Sequence, residues 1–565
     1  MSKTKYRFPG DNTPLEVVDV AIVMESTYPY LTGGVSAVVH DIVTHNPDLT
    51  FGIIHIAWDS NAPSKDLYGV PSNVAWVDVL YLSLEENREG FQKAVNDISG
   101  ARHASELVRA LQDGTRGDPA SLRKLYIDAV NPQTRSWRLW SLLPQRDLME
   151  AVLDAAGQAD DIKLDELFWM IRDFFSLMYA LLDRVHPPAR VYHAHTTGYA
   201  SLVSAAAALQ NNGKFLLTEH NLYVQDTINT LLERSMNLPV TLDSPRDLCS
   251  TTFEWFWVNW WIRLGALLYP MTDHITYLYP RAIDEAKDLG GDPDKSEILP
   301  NGIVWDDFEY TRRRRQEVID NLPEKKVWRL VSIARVVPIK GIIELIDTID
   351  ELRRRGVDNV VVDVLGPTNH LPEYYEKCLA HIERLGLQDK VILRGSMKVR
   401  DVLHDYDALI LASFNEGQPI VVLEAMVGGL PVIGTRVGGM DQMVIDPLLD
   451  QNENVVGPCG DLAEPGDITG LADIVQRIAF DKDLYMRWHH NSLARPHTIF
   501  LMEQVMVRYN AIYRRLGAGT DLATTRTADL GRGEEDIAVG GWERRPRQSA
   551  LMNFAVGGVR RYFAR

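Results

Sequence analysis

Twice along this chain, short runs of apolar residues alternate with stretches of helical period, and few folds accommodate that pattern. The first series opens at residues 17–24, an apolar run broken by one Asp, followed by a loop at 25–34 and a helical segment at 35–44. Further runs stand at 52–57, 74–79, 190–193, 214–217 and 274–278. A strand that is apolar on both faces belongs inside a parallel sheet covered by helices. The second series begins near Trp328, with runs at 329–333, 360–365, 390–394, 408–412 and 431–434. After the first of these, Ile342, Leu345, Ile346, Ile349 and Leu352 recur with the spacing of one helix face. The alternation predicts βαβ units. A chain of 565 residues exceeds what one core supports, so two α/β domains are expected.

The first domain is expected over residues 1–310, with a helical elaboration at about 84–187 where long amphipathic helices replace strands. The second takes residues 311–499, with the charged stretch 304–324 read as an irregular linker. Residues 500–516 form a helical segment expected to pack back on the first domain. Residues 517–548, rich in Gly, Thr and charge, read as a disordered tail. The segment 550–563 places Leu551, Phe554, Ala555 and Val559 beside Arg560 and Arg561. It reads as a frayed helix first and as a membrane-surface or partner contact second. The most apolar stretch, 253–269, carries Trp255, Trp257, Trp260 and Trp261. Glu254 and Arg263 interrupt it and it is short for a bilayer, which favours a buried or interfacial helix.

A formal charge of -18 excludes a general nucleic-acid binder, which needs a basic footprint. Cys249, Cys378 and Cys459 are far apart, giving neither a disulfide framework nor a metal-ligand spacing. The polar, basic start of the chain has no apolar run behind it, so no signal peptide is expected and a cytoplasmic location is.

Chemistry concentrates in Phe414-Asn415-Glu416-Gly417-Gln418-Pro419 and the apolar segment after it, which holds Glu424. Gly417 opens the backbone and Pro419 suits the first helical position. That places Glu416 in a loop at the carboxyl edge of a sheet, where α/β ligands bind, and Glu424 on the helix that follows. One carboxylate can take the hydroxyls of a sugar and the other those of a ribose, while the amides of the loop and helix start cradle polar oxygens. Arg335 follows a buried strand and Lys340 precedes a helix, a pair of cations suited to a diphosphate. Gly33 and Gly34 stand between the first strand and its helix, where backbone can approach a ligand closely. His195 and His220 stand at expected strand ends, as site groups or as satisfied structural histidines. Asp405-Tyr406-Asp407 looks like a metal-binding aspartate pair, but it lies where a helix end and strand start suffice, and no metal or other cofactor is expected.

Together these residues resemble the retaining glycosyltransferases of family 4, which have the GT-B fold of two Rossmann-like domains. Glu416 and Glu424 match the family's E-x7-E, Arg335 and Lys340 its phosphate-binding cations, and Pro300-Asn301-Gly302-Ile303 its P-N-G segment. The chain is most similar to the PelF type of exopolysaccharide biosynthesis. The similarity lies in Thr27-Tyr28-Pro29-Tyr30 with Gly33-Gly34-Val35-Ser36, in Leu217-Thr218-Glu219-His220, and in the two glutamate segments. It departs from that pattern after His220, at Asn221-Leu222-Tyr223, and at Arg436 after Thr435. The resemblance implies a UDP-hexose donor, UDP-glucose first. It puts Glu416, Asn415, Gly417, Gln418 and Pro419 at the donor sugar and Glu424 at the ribose. Arg394 and Met397 then lie near the base, and Gly33 and Gly34 near the phosphates and the acceptor. Candidate catalytic residues are Glu416, Lys340, Arg335 and His195. The acceptor would be a polysaccharide or lipid-linked sugar, with an inner-membrane synthase complex as an optional partner and nucleic acid excluded. Two competing readings are a nucleotide-sugar-binding scaffold and a glycoside hydrolase working with two carboxylates.

Overall fold

The structure, a computed structural model, describes residues 4–103, 120–156, 161–234, 238–242, 248–320 and 326–520. The tail read at 517–548 lies outside the described residues from position 521 on, as does all of the segment 550–563.

Strand β2 (Val18–Glu25) shows why the apolar runs had to become inner strands. Val20, Ile22 and Met24 join one core cluster and Val18, Ala21 and Val23 another, so both faces of the strand are buried. Around it build β1 (Lys5–Arg7), β3 (Phe51–Ala57), β4 (Val74–Tyr81), β5 (Ala189–Ala194), β6 (Lys214–Glu219), β7 (His274–Tyr277) and β8 (Ser296–Ile298). They make an eight-stranded sheet in the order β1-β4-β3-β2-β5-β6-β7-β8, parallel throughout. A second parallel sheet has β9 (Trp328–Ile333), β10 (Val360–Leu365), β11 (Val391–Gly395), β12 (Ala408–Leu411), β13 (Val432–Thr435) and, beyond the two-residue hairpin strands β14 and β15, β16 (Gly460–Ala463). Its order is β11-β10-β9-β12-β13-β16. In both sheets the strand order reverses beside the first long strand, between β2 and β5 and between β9 and β12. A doubly wound sheet opens a crevice at that switch point.

Helices Leu84–Val95, Ala120–Val130, Arg146–Ala156 and Leu164–Leu182 occupy the elaborated stretch of the first domain and share a core with Trp76, Trp137 and Trp140. The tryptophan-rich stretch is the helix Thr252–Leu268. Glu254, one of its two charged interruptions, closes a capping box: Thr251 Oγ1 accepts from Glu254 N at 3.1 Å and Glu254 Oε2 accepts from Thr251 N at 3.2 Å. No described helix is long and apolar enough to cross a membrane.

The stretch read as an irregular linker holds a helix, Glu309–Asp320. It has no apolar stripe to betray it. Its anchor is Arg315, which is fully buried and donates to the carbonyl of Tyr406 and, at 2.7 Å, to Tyr485 Oη, while Arg312 lies 3.8 Å over the ring of Trp305. The chain crosses between domains twice, and the crossings are paired: Ile303 N donates to Phe500 O at 2.8 Å and Met502 N to Ile303 O at 3.0 Å. The returning helix Met502–Gly517 then buries Val505, Met506, Tyr509, Ile512 and Tyr513 among Val20, Ile22 and Phe51 of the first sheet.

Candidate active site

Two loops at the switch point of the second sheet are laced together by backbone. The loop after β9 ends in the single turn Pro338–Lys340 and then Gly341, whose φ is 64°. A β-carbon on Gly341 would lie 1.9 Å from the Ala412 carbonyl oxygen at the end of β12, so only glycine allows the approach. Phe414 N donates to Ile339 O at 2.8 Å across the same seam. Lys340 is thereby delivered to Glu416: Nζ stands 2.7 Å from Oε1, and Ser413 Oγ donates to the same oxygen at 2.7 Å. The two side chains are only 16% and 12% exposed, so solvent screens the pair weakly. Arg335 lies half-buried on the same loop, and helix Ile342–Arg354 presents its N-terminus directly after Lys340.

Glu424 sits on the helix Ile420–Val427, for which Pro419 is the capping residue and not the first helical one. Its carboxyl has no hydrogen-bonding or ion-pair partner among the described residues. Burial pushes it up to about 7, against the opposing charge of Arg400.

The rest of the motif meets the first domain. A β-carbon on Gly417 would lie 2.1 Å from the carbonyl oxygen of His220. Asn415 donates to Asp226 Oδ1 at 2.6 Å and accepts from Asn221 at 3.2 Å. Gln418 accepts from Asn301 N at 2.6 Å and donates to Leu278 O at 3.2 Å. These side chains join the two domains, whereas the Lys340–Glu416 pair is made within the second domain alone. From the first domain, a β-carbon on Gly34 would come 4.0 Å from Ile420 Cδ1, so the glycine turn faces the start of the Glu424 helix, while Gly33 borders open space.

His195 and His220 follow β5 and β6. His195 Nδ1 and His220 Nε2 are 2.8 Å apart, with the rings stacked at 17°. Burial holds His195 well below the usual imidazole range, His193 and His220 adding to it, and lowers His220 to about 4, so both are neutral at pH 7. His195 is 1% exposed and its buried Nε2 has no hydrogen-bond partner among the described residues. Arg394 and Met397 lie on the same carboxyl edge but at β11, two strands from β9. Arg394 is ion-paired to Asp363 at 3.1 Å, and Met397 is exposed. Asp407 accepts the amide of Arg329 at 2.7 Å, the strand-start role expected for it.

Sequence reasoning passed over three groups beside the histidines. His193 lies under His195, its ring centroid 4.1 Å away, and bonds Tyr513 Oη and Thr218 Oγ1 at 2.8 Å each. Glu25 and Glu219 end β2 and β6 as buried carboxylates. An acid closing an apolar strand at the ligand edge was the available signal.

Residues 314–495 match the profile of the glycosyl transferases group 1 family. Residues 18–294, ahead of that stretch, match a domain of unknown function, DUF3492. The matched stretch 314–495 carries Arg335, Lys340, Glu416 and Glu424. The N-acetyl-alpha-D-glucosaminyl L-malate synthase of Bacillus anthracis is 31% identical over 133 residues, 23% of this chain and 32% of that protein. The chain spans about half or less of the length of the curated relatives it matches. Among solved structures, sucrose-phosphate synthase from Thermosynechococcus elongatus aligns with a TM-score of 0.55 at 14% identity, covering 89% of this chain and 99% of that one. HepE of Anabaena in complex with UDP and glucose aligns with a TM-score of 0.51 at 14% identity, covering 88% and 99%. At that identity the likeness speaks to the fold, which is GT-B: two Rossmann-like domains with parallel sheets.

Proposed function

We propose that this chain is a retaining, metal-independent glycosyltransferase that moves a hexose, glucose first, from a UDP-sugar to a growing exopolysaccharide or lipid-linked acceptor. The observation that carries the reading is the Lys340–Glu416 pair at a sheet switch point, with the unpartnered carboxyl of Glu424 on the next helix. Lys340 and Arg335 would hold the diphosphate and stabilise the charge that develops as it leaves, since fixed cations in an enclosed site need no reorganisation. Lys340 would release Glu416 when phosphate arrives, freeing that carboxylate for the hydroxyls of the donor sugar. Glu424 would accept from the ribose hydroxyls. His195, neutral and paired with His220, would form part of the first-domain wall opposite the donor sugar. The resemblance implies retention, and attack of the acceptor on the same face as the departing diphosphate is the favoured route to it. Arg394 and Met397 would border the base and Gly33–Gly34 the acceptor. The PelF-like segments support an exopolysaccharide acceptor and work in the cytoplasm, at the inner face of a synthase complex. HepE was solved with UDP and glucose, which makes UDP-glucose the donor to try first.

The test is thermal stabilisation by UDP, ADP, GDP and their sugars, followed by UDP release. A ligand at about 100 times its dissociation constant adds about 2.7 kcal/mol to stability. A UDP-selective shift that weakens in Glu424→Ala is the expected result; no shift with any nucleotide overturns the donor site.

A further inference from the structure

The histidine wall of the first domain stands on two buried acids. Glu25 Oε1 accepts from Thr196 Oγ1 at 3.0 Å and from Ala200 N at 2.7 Å, and Glu25 Oε2 accepts from Tyr223 Oη at 3.1 Å. Glu219 Oε1 accepts from Tyr269 Oη at 2.8 Å and from Thr197 Oγ1, and Glu219 Oε2 accepts from Tyr223 N at 3.3 Å. Tyr223 thus bridges both carboxylates, hydroxyl to one and amide to the other. The two threonines that directly follow His195 are shared between them. Glu219 directly precedes His220, the partner of His195 and the residue whose carbonyl meets Gly417. Tyr223 opens the helix Tyr223–Leu231, which carries Asp226 to Asn415 across the domain boundary.

Neither acid forms an ion pair among the described residues, although Glu25 is 6% exposed and Glu219 1%. Burial holds Glu25 above its usual range and pushes Glu219 up to about 7, the nearby Glu25 adding to it. Burying an acid without a counter-cation is costly, and an apolar residue in its place is often neutral or stabilising. Stability alone does not explain two of them. Each instead supplies accepting oxygens toward donors from the turn after β5 and from the helices that follow β5 and β6, an aim no apolar side chain provides.

We propose that Glu25 and Glu219, bridged by Tyr223, are positioning residues that fix the His195–His220 pair and the Asp226–Asn415 contact without touching ligand. The proposal rests on the donor-site reading given above for the role of His195, and it separates from that reading by experiment. In the full chain, Glu219→Ala, Glu219→Gln and Tyr223→Phe are compared with wild type by calorimetry with UDP and by kcat and KM for UDP release from UDP-glucose. UDP is expected to be held by the second domain, so its affinity should stay within about twofold. In Glu219→Ala kcat should fall about ten- to a hundredfold, the scale of a displaced reacting group, with KM little changed. Glu219→Gln, which keeps one accepting oxygen, should recover most of the loss. Tyr223→Phe, which removes a single oxygen, tests the bridge should the alanine variant not fold. Unchanged kcat in a folded Glu219→Ala or Tyr223→Phe chain overturns the proposal, as does a glutamine variant no better than alanine. If wild type binds no UDP, the donor-site reading falls. The positioning claim is then decided by nitrogen-15 imidazole spectra: the His195 and His220 signals must move in Glu219→Ala and return in Glu219→Gln, and unmoved signals overturn it.

Discussion

Gly417 and His220 meet back to back: the glycine α-carbon faces the histidine carbonyl with no room for a β-carbon, which would sit 2.1 Å from that oxygen. Backbone cannot yield as a side-chain tip does. Gly417→Ala should therefore part the two domains at this point at a cost of about 1–3 kcal/mol, the range of overpacking. A lower thermal midpoint with a larger radius of gyration by small-angle scattering is the expected pair of observations.

Removing the cation tests the phosphate site. Among the described residues, Lys340→Ala leaves Glu416 Oε1 with the hydroxyl of Ser413 alone. UDP affinity should drop at least about tenfold, since an opposite charge at ~4 Å contributes roughly 4 kcal/mol at an effective dielectric of about 20. Calorimetry on wild type and variant measures it.

Glu424 sets a pH dependence. Its carboxyl titrates at about 7 in the free protein, raised by burial. Hydroxyls donate to the ionised form, so UDP affinity should rise as pH goes from 6 to 8 and binding below 7 should release a proton (about 1 unit of pH is 1.36 kcal/mol of linkage). Titrations in buffers of different ionisation heat read the proton release directly, and Glu424→Gln should abolish it.

Buried histidines predict the acid limit of the fold. Burial lowers His55 to about 4 from 6.5, so the unfolded chain binds the proton first. The stability due to that neutral ring is complete above pH 6.5 and is lost as pH falls toward 4. A His55→Gln chain should lose less stability than wild type between those pH values, by urea titration at each pH.

The tie of the last helix to the first sheet is also testable. Tyr513→Phe strips His193 Nδ1 of its partner at 2.8 Å in a fully buried place, which should cost about 1–3 kcal/mol in chemical unfolding.

The legible part of this molecule is the part written locally. Val20, Ile22 and Val23 announce a strand covered on both sides, and Ile342 to Leu352 announce a helix, because each pattern reports burial by its immediate neighbours. Lys340 and Glu416 are separated by 76 positions, yet each lies at a strand end that the alternation predicts, so their meeting was within reach. The helix Glu309–Asp320 was not, because Arg315 is held by Tyr406 and Tyr485 from far along the chain and contributes no periodicity. Glu25 and most of the shell of Glu219 escaped for the same reason: Thr196, Thr197, Ala200, Tyr223 and Tyr269 reach them from turns and helices elsewhere in the chain. Asn415 and Gln418 read as ligand contacts in a loop, and only the packed domains reveal that Asp226, Asn221, Asn301 and Leu278 engage them.

The paired crossings at Ile303 and Leu501 carry one last consequence. Two separate connections could twist and slide independently, whereas two bonded side by side behave as a single pivot. Relative travel of the two halves reduces to swinging about that pivot, with displacement growing in proportion to distance from it. Stiffening those few residues would slow the whole swing, and no contact in the crevice would need to change.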